Sequence, residues 1–348
     1  MTATAVETAA ARPHKGLQAQ IEQGLAYLLL TGLGVWLVWN FVTDPSQTMS
    51  ALVSGINNGA LYALIALGYT LVYGIIELIN FAHGDLFMLG TVFSAFFLVN
   101  WLGVTGTGVT ALLALGLTLV CAMVFCGAIN VAAERVAYRR LRRAPKLASL
   151  ITAVGLSFIF QWVGLQWNGS APKQWPTVVN GDFSVGGVKI EYSTILVVAV
   201  TVPLLLLLTW VVQGTRQGKA MRATAQDQDA ARLMGVNVDR TIAFTFALGG
   251  AMAGAAGCLY VQSVGTTNYN VGFQLGLIAF TAAVMGGIGK LNGAVLGGLL
   301  IGIIQGLNDG APHGIGQRWS QTVVFTILIL IMVFKPEGIL GKPATEKV

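Results

Sequence analysis

The chain has 348 residues, of which 55% are hydrophobic and only 10% charged, with a mean hydropathy of +0.72. Soluble domains carry about a quarter charged residues, so this composition excludes an ordinary water-facing surface and places the excess apolar area against lipid. The formal charge of +6 would suit nucleic acid, but the basic residues stand in short blocks between apolar runs, as the positive-inside rule places them, and a nucleic-acid partner is rejected.

Residues 1–22 are polar and Ala/Thr-rich, with Arg12 and Lys15, and are read as a cytoplasmic segment. The apolar run that follows, 24–42, lacks a small-residue cleavage site and is long enough to span, so it is read as a true helix rather than a signal peptide. A window of about 20 apolar residues per span predicts nine more, at 50–73, 84–101, 108–132, 148–167, 193–212, 241–262, 274–289, 291–308 and 320–334. The fold class is therefore all-α: a polytopic transmembrane bundle of about ten spans (eight to ten), with both termini cytoplasmic. One membrane domain covers 23–335, and a cytoplasmic tail covers 336–348.

Orientation follows from Lys and Arg. With the N-terminus inside, 17 of the 20 basic residues fall on the cytoplasmic side, and only Lys173, Lys189 and Arg318 lie outside. The loops 134–147 and 213–240 supply eleven of the 17, and the inverted topology would reverse the bias. The longest external segment, 168–192, holds Pro172, Trp175, Pro176 and the pair Gly186-Gly187; its Asn168-Gly169-Ser170 sequon is too short a motif to weigh.

Few residues suggest chemistry. Neither HExxH nor GxSxG nor GxxxxGK[ST] occurs; Gly287-Ile288-Gly289-Lys290 resembles a P-loop, but Leu291 offers no hydroxyl for Mg²⁺. No cofactor or metal is expected on this chain: His14, His83 and His313 are far apart, and Cys121, Cys126 and Cys258 sit in apolar runs as packing residues. Glu77 to Asp85, with Asn80 and His83 between them, is either a short cytoplasmic turn whose polar groups reach water or a broken helix lining a cavity. Asp85 and Glu77 are placed near the cytoplasmic edge, so no intramembrane proton relay is expected. Asn57, Asn58 and Tyr62 share a helical face, and they and the amides Gln161, Gln166, Gln274 and Gln305 serve as interhelical glue or as path lining. Gly250 and Gly254 on one helix, and Gly293, Gly297, Gly298, Gly302 and Gly306 on another, form small-xxx-small stripes for close packing.

The loop 213–240 differs from the rest. Its pattern predicts one amphipathic cytoplasmic helix over 218–238, with Ala223, Ala230, Leu233 and Met234 on one face and Gly235 as the stop. A lipid-surface helix would carry large apolar residues and a basic face; small alanines beside Asp227 and Asp229 suit a protein groove better.

Several long stretches then point to a family. They are Asn58–Leu64 with Gly68–Ile76, Ile79–Asp85, Glu134–Arg139, Met221–Ala225, Leu233–Arg240, Gly286–Gly289 and Gly338–Gly341. Over residues 50–348 the chain resembles the LivH-type permeases of the branched-chain (hydrophobic) amino acid ABC transporters; nothing in 1–48 contributes. The resemblance implies a permease subunit in a bacterial inner membrane, working by alternating access and not itself an enzyme. It implies a second homologous permease, two cytoplasmic ATPase subunits that hold ATP and Mg²⁺, an extracytoplasmic substrate-binding protein and surrounding lipid. The loop 214–240 becomes the coupling helix, with Ala223, Ala225, Asp227, Ala230, Leu233, Met234 and Gly235 at the ATPase; Gln226-Asp227 stands where the broader importer signature begins Glu-Ala-Ala. Asn57, Asn58, Tyr62, Asn80 and His83 become candidates for the substrate path, and Gly250, Gly254, Gly298, Gly302 and Gly306 pack helices. The urea and short-amide permeases of the same superfamily are the nearest alternative, Phe81 favouring the amino-acid branch; a secondary transporter or channel is the alternative of another class.

Overall fold

The computed structural model describes residues 15–78, 80–142, 144–335 and 337–341. The N-terminal segment before residue 15, the tail after 341, and with them Arg12, Lys342 and Lys347 lie outside the described residues, as do Ile79, Arg143 and the side chains of Lys15 and Lys146. Two compact units are present, Met1–Pro45 and Ser46–Val348. The first contains helix α1 (Lys15–Thr43). The second contains α2 (Pro45–Ile76, its body from Ser46 on), α3 (Ala82–Trp101), α4 (Val109–Leu141), α5 (Lys146–Asn168), α6 (Tyr192–Gly214), α7 (Arg216–Gln226), α8 (Gln228–Leu233), α9 (Val238–Val264), α10 (Val271–Gly286), α11 (Leu291–Gly310) and α12 (Ser320–Phe334). The chain is a polytopic helical membrane protein.

Among the described residues eight helices are long and apolar enough to cross a membrane, α2 to α6, α9, α11 and, from Gln317, α12. Ten spans were expected; α10 has only 16 residues, about 24 Å of rise, and the side chains of the first half of α1 are largely outside the described set. The eight divide by burial. Within their most apolar windows α2, α3 and α9 are 83%, 78% and 72% buried, whereas α4, α5, α6 and α12 are 28%, 28%, 17% and 11% buried. Helices equally apolar on all sides can do either, so hydropathy alone does not sort centre from rim. Glycines on α9 and α11 permit close approach to their neighbours. A Cβ on Gly250 would lie 2.5 Å from the carbonyl oxygen of Cys126 on α4, and one on Gly298 2.5 Å from the amide nitrogen of Ala63 on α2. Gly254, Gly302 and Gly306 likewise face backbone atoms of α4 or α2. Cys126 and Cys258 are buried and all three cysteines are free.

Three local expectations are corrected. Residues 134–141, read as the start of a loop, continue α4 through a π turn at Glu134–Tyr138. The arginines there are not merely solvated. Arg142 pairs with buried Glu134 and, at 2.6 Å, with Asp239 at the start of α9, and Arg139 reaches Asp239 at 2.5 Å. The single helix over 218–238 is two helices, broken at Asp227. Its Oδ1 accepts from the amides of Asp229 and Ala230 at 2.8 and 3.0 Å, an N-cap that starts α8 afresh. Gly235, at φ +83°, then ends α8 in a Schellman motif: its amide donates to Arg232 and that of Val236 to Ala231. Third, the external segment 168–192, expected as a loop, holds short strands: β1 (Lys173–Gln174) pairs with β4 (Thr266–Thr267), and β2 (Asp182–Val185) pairs with β3 (Val188–Glu191). Gly186 and Gly187 close that hairpin with φ of +61° and +85°, the type I′ geometry that favours glycine at both positions.

Candidate functional site

At the end of the bundle opposite the arginine-bearing turns, an open vestibule of about 770 Å³ lies between the first turns of α2, the ends of α9 and α11, the start of α6 and the β2–β3 hairpin. Helix ends converge here because α2 and α6 begin, and α9 and α11 finish, on this side. The walls carry both signs of charge, Lys189 against Asp182, Glu191 and Asp309, and small apolar patches from Ala51, Val53 and Val264. Lys189 Nζ stands 4.0 Å from Asp182 Oδ2. Glu191 accepts from Ser193, and Asp309 Oδ1 accepts from Asn308 Nδ2 at 2.9 Å and from the Ser320 hydroxyl. Gln262, buried at the end of α9, accepts the Val178 amide at 2.8 Å and so ties the external segment to the wall.

The residues proposed for a substrate path separate into two groups. Asn58 lines the vestibule; Asn57 donates to Ser263, itself a lining residue, at 2.7 Å. One turn further along α2, Tyr62 donates to Gln305 Oε1 at 2.7 Å, a bond between α2 and α11. Asn80 and His83 are elsewhere. Asn80 accepts from the Tyr138 hydroxyl at 2.8 Å, and the His83 ring packs edge-on against Tyr69, centroids 4.8 Å apart, in the space that Gly68 leaves open. The hollow beside them, bounded by Tyr69, Tyr73, Asn80 and Phe280, holds about 10 Å³, the lower limit for one water. The wide opening is therefore on the vestibule side, and the space beside Asn80 is small. Gln161 and Gln305 act as interhelical bonds, and Gln166 and Gln274 are exposed.

Asp85 is the largest correction. Expected near the cytoplasmic edge, it is completely buried, and its carboxylate accepts from the Ser157 hydroxyl and, at 3.2 Å, from Gln161. Ser157 is the twelfth of the 23 residues of α5, so Asp85 lies at half depth. Glu77, exposed and at φ +51°, follows the end of α2, and Asn80 is already buried before α3 begins. The polar groups of this stretch, Glu77 aside, do not reach water: Asn80, His83 and Asp85 are all buried. A helix start at depth is tolerated where protein groups surround it, and the first-turn carboxylate faces the positive end of the helix dipole. Asp85→Asn is expected to keep both partners, whereas Asp85→Leu leaves the Ser157 hydroxyl without its acceptor, at about 1–3 kcal/mol, and Gln161 Nε2 with only Ser157 Oγ at 3.3 Å. The measure is the monodisperse fraction and thermal midpoint in detergent; equal values for the two variants would refute a stabilising role for the cluster.

Comparison with known proteins agrees with this architecture. The family model described as the permease component of branched-chain amino acid transport systems matches residues 51–333. The high-affinity branched-chain amino acid transport system permease protein BraD of Pseudomonas aeruginosa is 40% identical over 86% of this chain and 98% of its own length. LivH of Escherichia coli, with the same description, is 40% identical over 86% of this chain and 97% of its length. A probable branched-chain amino acid transport permease protein LivH of Methanocaldococcus jannaschii is 28% identical over 81% and 89%. No solved structure matches the chain. A match across nearly all of the Ser46–Val348 unit, with relatives of equal extent, makes this chain a member of the permease-component family of branched-chain amino acid transport systems.

Proposed function

We propose that this permease carries branched-chain or other hydrophobic amino acids inward across a bacterial inner membrane, as one of two homologous permeases driven by separate ATPase subunits and fed by an extracytoplasmic binding protein. The observation that carries this reading is the vestibule: an amino acid presents an ammonium, a carboxylate and an apolar side chain, and the walls offer Asp309 and Glu191, Lys189 and the Ala51/Val53/Val264 patch. The relatives BraD and LivH, named as branched-chain amino acid transport permeases, support the same substrate class. Tyr62 and Gln305 serve as the floor of the outward state, and the Asn80/His83 region as the closed inner side. ATP binding acts through differential affinity for two permease states, not through chemistry on this chain.

The test is uptake of labelled leucine by cells that express the assembled transporter in place of their own. Competition by isoleucine and valine, no competition by urea, and arrest on ATP depletion with the proton gradient intact are expected. Uptake of urea unaffected by leucine would assign the site to the short-amide branch, and uptake that survives ATP depletion would assign it to a secondary transporter. Asp309→Asn preserves size and hydrogen bonding but removes a charge. It is expected to raise the half-saturating leucine concentration about tenfold, the effect of one charge-assisted hydrogen bond of roughly 1.5 kcal/mol.

Orientation is tested independently. A cysteine at Lys189 is expected to react with an impermeant thiol reagent in intact cells, and one at Arg140 is expected to be protected, because 17 of the 20 basic residues lie inside in this topology. The reverse pattern would invert the membrane assignment.

A further inference from the structure

A second hollow, remote from the vestibule, runs down the outer face of the α4–α9 seam and has a volume of about 910 Å³. The seam is close because Gly250 and Gly254 meet the backbone of α4; beside it, Val124, Gly127 and Val131 of α4 and Ala247 and Ala251 of α9 leave a trough. Val120 and Val124 on its wall are 56% and 66% exposed on a helix apolar enough to cross a membrane, so the trough opens on the outer face of the bundle. Its lining is apolar except at one end, where Arg135 closes it. The π turn at Glu134–Tyr138 sends Glu134 inward to Arg142 and leaves the neighbouring Arg135 exposed. Arg139 and Arg142 are engaged by Asp239 and Glu134, whereas Arg135 forms no ion pair among the described residues. From Arg135 to Val120 the helix rises about 22 Å, more than one leaflet of a hydrocarbon core about 30 Å thick. An apolar channel that covers the full depth of one leaflet and ends in an uncompensated cation at headgroup level has the charge and shape to take a lipid. A partner helix would instead need an acid opposite Arg135.

We infer that the α4–α9 groove binds one anionic phospholipid, with an acyl chain along the trough and the phosphodiester on Arg135. The test uses the full-length chain co-purified with its partner subunits in mild detergent, with native mass spectrometry counting retained phosphatidylglycerol and phosphatidylcholine as each is titrated. One phosphatidylglycerol per chain is expected to be held about fivefold more readily than phosphatidylcholine, the factor one juxtamembrane arginine supplies. Arg135→Gln is expected to remove that preference with the thermal midpoint unchanged, and Arg140→Gln, outside the groove, to keep it. Ala251→Phe, which fills the trough, is expected to lower retention of both lipids. Equal phosphatidylglycerol retention by Arg135→Gln and the parent chain would overturn the proposal. So would a disulfide from Val124→Cys to a second membrane subunit, which would give the groove to protein.

Discussion

Ala230→Arg is expected to abolish uptake and to release the ATPase subunits on purification, while leaving the chain folded in the membrane. Ala230 is exposed on α8, followed by Leu233 and Met234, which are 89% and 84% exposed. The opposite side of the α7–α8 pair is already committed: Met221, Thr224 and Ala231 are buried against the bundle. Two large apolar side chains held out in water at the polar end of a membrane protein call for a covering surface. Their burial by a partner would contribute roughly 3–6 kcal/mol, at about 1.5–3 kcal/mol for each. An arginine set among them must be desolvated without an acid to receive it, which costs several kcal/mol and cancels that gain. Position 230 is exposed, so insertion and folding are expected to survive. Asp227 does not need to contact the partner for this to hold, since its carboxylate is occupied in capping α8. Transport and subunit retention are measured together, with Gln228→Ala as the mild control. Normal transport with partners retained would mean that α7–α8 is a segment resting on the membrane surface.

The second large effect is expected at Gly302. A Cβ there would lie 2.6 Å from the carbonyl oxygen of Gly55 and closer still to the Cα and amide of Gly59. All three are backbone atoms, so no side chain can rotate away, and α2 and α11 must part. Gly302→Leu is therefore expected to cost at least the roughly 1–3 kcal/mol of ordinary overpacking and to lower accumulation in the membrane severalfold. The Tyr62–Gln305 bond, on the same two helices one turn away, would be lost with it, so any surviving protein is expected to transport poorly. Val295→Leu, half-buried on the same helix, is the control. Equal accumulation of the two variants would show that this glycine face does not set the α2–α11 distance.

What could be read from the sequence alone was what each residue decides by its own preference for lipid or water. Runs of apolar residues predicted helices at nearly every observed position, and glycines at four-residue spacing marked α9 and α11 as helices that approach a neighbour closely. Even the break in 218–238 had a local signal, since Asp227 stands where an N-cap would and its partners are only two and three residues away. These preferences act along a few turns of one helix, so they survive without knowledge of the fold. Tertiary structure decided everything that depends on residues far apart in the chain. Asp85 is at half depth because Ser157 and Gln161, on another helix, complete its hydrogen bonds. Residues 134–141 stay helical while Arg139 and Arg142 find Asp239 about a hundred positions on. The vestibule takes Asn58, Lys189, Gln262 and Asp309 from four segments far apart in the chain. Burial of a polar group is determined by whether a partner meets it in space, and apolar helices of equal hydropathy become core or rim only when their neighbours are in place.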